Sequence, residues 1–362
     1  MSKDTMTRKI GYIGFGYIVK GYHLTTAQRE DVPFTATAAY DVSPERRAEA
    51  EAAGLRVFDN LEDFLASRLF DLVVIAVPNQ YHCPYACAAL RAGYHVLCEK
   101  PVAMTVAELE ETIAVANETG KMFTVHQSRR FDRDALVAKE VLQSGKLGNL
   151  ITVEARVHAA TGGGQSFGWR MYADHGGGFF GDWGVHVLDQ VLDLIRDPIR
   201  SVFAVTNTLK TPDAGEDYTK ILITFEGGFS AQVEAADFAP LPLPKWLIMG
   251  DRGAVRIEST GSGTGTLRCV KNATVKDTVA LVYPDETVAE RTYGAVTVAE
   301  WEETTVPETP PTQDWAKLYL NLAAYLDGNE PLAVTPESVL RCFRVLEAAR
   351  DSAKTGNAIR FD

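Results

Sequence analysis

Lys9-Ile10-Gly11-Tyr12-Ile13-Gly14-Phe15-Gly16-Tyr17-Ile18-Val19 decides the fold. An apolar strand from Lys9 to Ile13 stops at Gly14 and turns into the start of a helix. The turn reads G-x-G-x-x-V, a dinucleotide fingerprint with valine in place of the third glycine. The needs behind that motif are separable. Gly14 permits the tight turn, and Gly16 lets backbone amides approach a pyrophosphate at the helix N-terminus. The third glycine serves helix–strand packing, so Val19 implies slightly wider packing rather than lost binding. Phe15, Tyr17 and Ile18 join the two glycines as candidate cofactor contacts. A second strand, Phe34 to Tyr40, ends at Asp41. A carboxylate there can accept both hydroxyls of an adenosine ribose and repels a 2′-phosphate, which favours NAD over NADP. Arg46 and Arg47 follow within one turn and pull the other way, and Arg46 is a further candidate contact. The alternative is a plain strand–helix turn with Asp41 as its polar end.

Outward from this turn, strand and helix patterns alternate. Ser43 caps a helix with Pro44 in its first turn, and Gly54 stops it. Asp71 to Val77 is a continuous apolar run, as in a strand buried on both faces, and Pro78 ends it. His82 to Ala92 reads as a helix closed by Gly93. Tyr94 to Cys98 is a strand. Thr105 and Glu108 form a capping box for a helix ending at Gly120, and Phe123 to His126 is strand-like. Residues 1–127 therefore predict a Rossmann-type, doubly wound parallel sheet, which binds ligands beyond the C-terminal ends of its strands. After Gly148 the pattern changes. Leu150 to Ala160, Ser201 to Thr208, Lys220 to Phe225, Ser230 to Ala236, Trp246 to Gly250 and Ala254 to Glu258 read as strands of a large open, mainly antiparallel sheet. A helix from Gly181 to Ile195 interrupts them, and two more, Trp315 to Leu326 and Pro336 to Lys354, close the chain. Residues 128–362 form an α+β domain on this reading, its last helices packing back toward the first domain. Thr260 to Thr266 is expected as a surface loop, and Glu300 to Gln313 as irregular.

Composition sets the class. Of the 362 residues 46% are hydrophobic and 23% charged, as in a globular protein with a real core. A net charge of −12 argues against nucleic acid, which needs clustered cations. No apolar run nears the roughly 18 residues of a membrane span, and the polar Met1 to Lys9 segment does not resemble a signal peptide. A cytoplasmic location is the expectation. The five cysteines are scattered and odd in number, which suggests buried, unligated thiols rather than disulfides.

Three segments stand where a nicotinamide would be expected. Val77-Pro78-Asn79-Gln80-Tyr81-His82 ends one buried strand, and Cys98-Glu99-Lys100-Pro101 ends the next. Gly176-Gly177-Gly178-Phe179-Phe180-Gly181-Asp182-Trp183-Gly184-Val185-His186 opens the later helix. Pro78, Asn79, His82, Glu99 and Lys100 are the cofactor candidates among them. Together with Gln127-Ser128-Arg129-Arg130-Phe131-Asp132, these segments resemble the glucose-fructose oxidoreductase/inositol dehydrogenase (Gfo/Idh/MocA) family from about Lys9 to Asp193. Val19 is the one clear departure. The resemblance implies an oxidoreductase acting on a sugar, glycoside or cyclitol alcohol, with NAD as cofactor and no metal. It also implies a homodimer or homotetramer built through the C-terminal sheet, and Lys100, Asp182 and His186 as catalytic lysine, aspartate and histidine.

The residues themselves support those roles. Asp182 and His186 are spaced i, i+4 on one helical face, so the carboxylate can orient the imidazole. Histidine carries protons near neutral pH, and Lys100 can stabilise a developing alkoxide. Arg129, Trp169, Arg170 and Tyr172 complete a candidate polyol pocket with Lys100, Asp182 and His186. Arg129 and Arg130 could equally make structural ion pairs. Gly162 to Gly164 suggest a mobile loop. A metal site of Asp182 and His186 with His175 or His158 is the less favoured alternative. A tightly NAD-bound enzyme that oxidises and re-reduces during glycoside cleavage or epimerisation would share every feature. A ligand sensor on the same fold would be expected to lack Lys100 or His186.

Overall fold

The computed structural model describes residues 7–159, 168–209, 215–274 and 298–361. Six parallel strands form the first sheet: β1 (Arg8–Ile13), β2 (Phe34–Tyr40), β3 (Arg56–Phe58), β4 (Leu72–Ile75), β5 (His95–Cys98) and β6 (Phe123–Val125). Their order is β3-β2-β1-β4-β5-β6, so the chain reverses its direction of travel between β1 and β4. Every residue of β4 is buried, as its unbroken apolar run requires. Helix caps fall where the sequence places them. Ser43 accepts the Arg46 N–H at the start of Pro44–Ala52, and Thr105 accepts the Glu108 N–H at the start of Val106–Thr119. The sequence reading missed β3 and the short helix Leu61–Ala66, capped by Asn60. Val19 is fully buried, and the helix after the glycine turn widens there into a π turn, Val19–His23.

The second sheet has nine strands: β7 (Leu150–His158), β8 (Ile199–Asn207), β9 (Tyr218–Phe225), β10 (Ser230–Ala236), β11 (Trp246–Gly250), β12 (Gly253–Ile257), β13 (Gly265–Thr274), β14 (Val298–Val306) and β15 (Ile359–Arg360). The order is β14-β13-β12-β11-β7-β10-β9-β8-β15. Only β7 and β10 pair in parallel. Helices Arg133–Gln143, Val185–Leu194 and Pro336–Thr355 pack on one face. Ile221, Ile223 and Phe225 turn into that core, whereas Lys220, Leu222 and Thr224 face outward. Two expectations need correction. The irregular segment expected from Glu300 is strand β14 as far as Val306, and β13 begins inside the loop expected at 260–266. Residues 300–305 are all exposed, so this edge strand lacks the half-buried alternation that marks a strand in sequence. Helix Arg133–Gln143 was also missed.

The C-terminal helices join the two sheets. Tyr319, on Lys317–Leu326, is fully buried against Phe34 and hydrogen bonds His23 Nδ1 at 2.7 Å. Thr124 on β6 donates to the Val334 carbonyl, and Arg8 pairs with Asp327. Among the described residues no helix is long and apolar enough to cross a membrane. All five cysteines are free, and four are buried.

Candidate active site

The glycine turn lies at the C-terminal end of β1, beside the point where strand order reverses. Gly14 adopts φ +88°, and a Cβ there would lie 2.4 Å from the Ala76 carbonyl oxygen, so no other residue fits. At Gly16 a Cβ would meet only the Arg46 guanidinium, at 3.3 Å. The protein packing does not demand that glycine, which leaves the approach of a ligand as its reason. Asp41 stands at the end of β2. One of its oxygens accepts the Phe15 N–H at 2.7 Å, and the other accepts the Ser43 N–H. The Phe15 side chain is buried against Tyr12, so Phe15 offers the turn its backbone. Tyr17 is 86% exposed at the lip, Ile18 is half-buried, and Arg46 donates to the Phe15 carbonyl. The tight turn, helix start and carboxylate fit a dinucleotide with a free adenosine ribose.

The other expected cofactor contacts divide. Pro78 begins the short turn at the end of β4. Asn79 is buried; its amide nitrogen donates to the carbonyls of His175 and Gly176, and its Oδ1 has no partner. It therefore ties the β4 loop to the glycine-rich segment and keeps one acceptor free. His82 is buried with Nδ1 2.8 Å from the Pro101 carbonyl and Nε2 2.8 Å from that of Val77. It clamps two loops together and does not face the cleft. Burial holds its pKa below the usual histidine value. Glu99 is likewise internal. Its Oε1 meets His23 Nε2 at 2.8 Å and His126 Nδ1 at 2.7 Å, and its Oε2 accepts the Lys100 N–H. Burial works against its charge, but its electrostatic interactions and hydrogen bonds with His126 and His23 keep its pKa well below the usual range. His82 and Glu99 thus support the site from behind.

Lys100 follows β5. Its Nζ lies 2.8 Å from both the backbone oxygen and Oδ1 of Asp182. The expected Asp182–His186 pair is corrected here: the carboxylate serves the lysine. The i, i+4 expectation assumed α-helical winding, whereas Phe180–Gly184 winds as a π turn before the α-helix Val185–Leu194. The partner of His186 is instead Gln127, whose Oε1 lies 3.1 Å from Nδ1. With that oxygen as acceptor, Nδ1 carries the hydrogen and Nε2 keeps its lone pair. Burial, then the charges of Lys100 and Arg129, hold the His186 pKa well below 6.5, so the ring is a neutral base.

A narrow cleft beside His186 is lined by Arg129, Asp132, Trp183, Gln190 and Lys245, among others. The Arg129 guanidinium lies 4.5 Å from the Trp183 ring centre and 5.2 Å from that of Trp315, and pairs with Asp132. Arg130 points away, bound by Asp189, Asp193 and the Ala333 carbonyl in a structural ion pair. Arg170 Nε reaches within 4.0 Å of Asp182, and Tyr172 is half exposed. The Trp169 side chain and Gly162 to Gly164 lie outside the described residues. Lys245, Gln190 and Gln127 escaped the sequence reading; the only signal, a lone lysine before an apolar strand, looks like a solvated end. The alternative metal set does not assemble. Among the described residues one group, His23, Glu99 and His126, brings three such ligand atoms within 4.8 Å, and each is held by hydrogen bonds within the group.

Residues 8–127 match the family model of the GFO/IDH/MocA oxidoreductases, NAD-binding Rossmann fold, and residues 135–256 match that family's C-terminal domain. An NAD-binding protein from Listeria innocua of solved structure is 31% identical, with a TM-score of 0.82 over 98% of this chain and 97% of that one. An uncharacterized oxidoreductase of Schizosaccharomyces pombe is 33% identical over 196 residues, 52% of each chain. The D-glucoside 3-dehydrogenase of Escherichia coli is 29% identical over 210 residues, 56% of this chain and 59% of that one. The matches to these two named relatives thus span little more than half of their length.

Proposed function

The chain belongs to the GFO/IDH/MocA oxidoreductase family, it has an NAD-binding Rossmann domain, and from that premise we propose that it interconverts a secondary alcohol and a ketone on a sugar, glycoside or cyclitol. NAD, bound at the glycine turn with its adenosine ribose at Asp41, supplies the hydride acceptor or donor. This chain's residues handle the proton and the oxygen. His186 Nε2, neutral and with its lone pair free, takes the hydroxyl proton during oxidation and returns it during reduction. Lys100, fixed by the two Asp182 oxygens, sets a positive charge beside the oxygen on which negative charge develops. Asp182 is thus a positioning residue for Lys100 on this reading. Gln127 fixes the His186 tautomer, and Glu99 holds the Lys100 backbone. Arg129, Trp183, Arg170 and Tyr172 offer forked donors and ring faces to a polyol. The assembly expected is a cytoplasmic homodimer or homotetramer joined through the uncovered face of the large sheet.

The observation that carries the reading is geometric: Lys100 Nζ is held 2.8 Å from Asp182 Oδ1, and four residues on His186 lines the cleft with Nδ1 3.1 Å from Gln127 Oε1, which leaves Nε2 as the free base. A panel of sugars, glycosides and cyclitols with NAD and with NADP, followed at the reduced-nicotinamide absorbance, tests it. Lys100→Met and His186→Asn are expected to lower kcat by about 10²–10⁴-fold while NADH still binds. Full activity in both variants would remove the assignment. The relative named as a glucoside dehydrogenase makes glycosides the first substrates to try.

A further inference from the structure

Lys245 is a lysine that should not be where it is. It is 5% exposed, on the segment leading into β11, and its Nζ touches one neutral acceptor, Gln190 Oε1, at 3.1 Å. Among the described residues no carboxylate lies within ion-pair distance of it. The two nearest acids are engaged elsewhere. Asp134 accepts the Trp246 indole N–H at 2.8 Å and the Gly261 N–H at 2.6 Å, and Asp132 takes Arg129 and the Trp315 indole N–H. Burial lowers the Lys245 pKa to about 8, opposed by Asp134 and Asp132 and assisted by Arg129. A desolvated ammonium whose direct partners are one amide oxygen and the Trp246 ring, 5.4 Å from Nζ, is costly. Its surroundings add a direction: Lys245 lines the same cleft as His186, with Arg129 and Trp183 on the walls.

We propose that Lys245, with Arg129 beside it, recognises a carboxylate on the substrate, so that the preferred substrates are sugar or cyclitol acids. The inference rests on the dehydrogenase reading above and narrows its substrate class. An entering carboxylate supplies the direct ion-pair contact that Lys245 lacks among the described residues, and a charge-assisted hydrogen bond forms where water has been excluded. Asp132 and Asp134 behind it disfavour a second negative charge more than a first, which opposes a phosphate dianion. Arg129 keeps its geometry through Asp132 and the two indoles, so its remaining N–H groups are oriented before the ligand arrives.

The test compares matched pairs. Galacturonate against galactose and glucuronate against glucose are assayed with NAD, and binding of each uronate to the protein–NADH complex is titrated calorimetrically. In the unsubstituted protein, kcat/KM is expected to favour at least one uronate over its neutral partner by about tenfold or more, the scale of one charge-assisted hydrogen bond. In Lys245→Met that ratio falls to near one, mostly through KM, and the calorimetric affinity for the uronate weakens in parallel. Lys245→Gln, which keeps a polar group in the site, serves if the methionine variant does not fold. Turnover of neutral polyols with no uronate preference, a preference for phosphorylated sugars, or a ratio unchanged by either substitution overturns the proposal and leaves the dehydrogenase reading standing. A kcat loss equal for acids and neutral sugars also overturns it, because that marks a general role. No reduction of NAD by any member, with NADH still binding, removes both.

Discussion

His82 shows what the site costs at the scale of one side chain. A neutral imidazole has a single N–H, yet both its nitrogens face carbonyl oxygens, of Val77 and Pro101, at 2.8 Å. Burial disfavours the second proton that would satisfy both. The ring is retained because it joins the loop after β4 to the loop carrying Lys100. His82→Ala is expected to lower stability by about 1–3 kcal/mol, since a buried carbonyl loses its donor. It should also lower kcat more than it raises the NADH dissociation constant, with partial rescue by His82→Gln. Urea unfolding, steady-state rates and NADH fluorescence check this; an unchanged kcat would leave His82 a packing residue. Much of the candidate site was legible from sequence at this scale. Gly14, Asp41, Lys100 and His186 stand at strand ends or on a helix whose positions follow from pattern. The partners were not legible. That Asp182 serves Lys100, that Gln127 serves His186, and that Glu99 and His82 turn inward depend on packing between segments up to 82 residues apart.

At the scale of the element, hydrophobic period and capping chemistry found β1, β2, β4, β5 and β6 and the helices beginning at Pro44, Val106 and Pro336, because each has a strong cap or an unbroken apolar core. β14 was missed because an edge strand exposed along its length carries no such pattern. The π turn Phe180–Gly184 was missed because nothing in residue spacing distinguishes it from α winding, and there the Asp182 expectation failed. The outer face of the large sheet leads to a prediction. Phe203 on β8 stands directly opposite Leu222 on β9, and both are exposed, with Val205 nearby. Beside them Glu234 gathers Arg156, His158 and Lys220 on the same face, and Arg156 also pairs with Glu154. Apolar pairs flanked by buried charge suit a self-complementary contact. Leu222→Lys is expected to shift the sedimenting species to the monomer mass without loss of folded signal. A monomer before substitution, or an unchanged oligomer after it, would discard this interface.

The whole molecule meets at the seam where the C-terminal helices cross behind the first sheet, and its buried histidines govern how it responds to acid. Burial first, then the electrostatic influence of His126, holds His23 below its usual pKa; burial does the same for His82 and, with Lys100 and Arg129, for His186. His95 is lowered to about 4 by burial, Lys121 and Arg8. The sign follows from proton counting. In the unfolded chain each histidine takes a proton near pH 6.5, whereas in the folded protein the pKa of all four is lowered. Between those limits the unfolded state binds more protons, so stability falls as pH falls, by up to about 1.4 kcal/mol per pH unit for each histidine. Glu99, whose folded pKa is depressed, contributes stability above its unfolded value near 4.5, and this is lost as pH falls further. The chain should therefore lose stability steeply from about pH 6.5 to 5, before most carboxylates titrate, and the urea midpoint at pH 5.5 should lie well below that at pH 7.5. His95→Gln is expected to flatten this slope by about one proton. Equal midpoints at the two pH values would mean that these imidazoles take up protons in the folded state, and would also end the case for His186 as a neutral base.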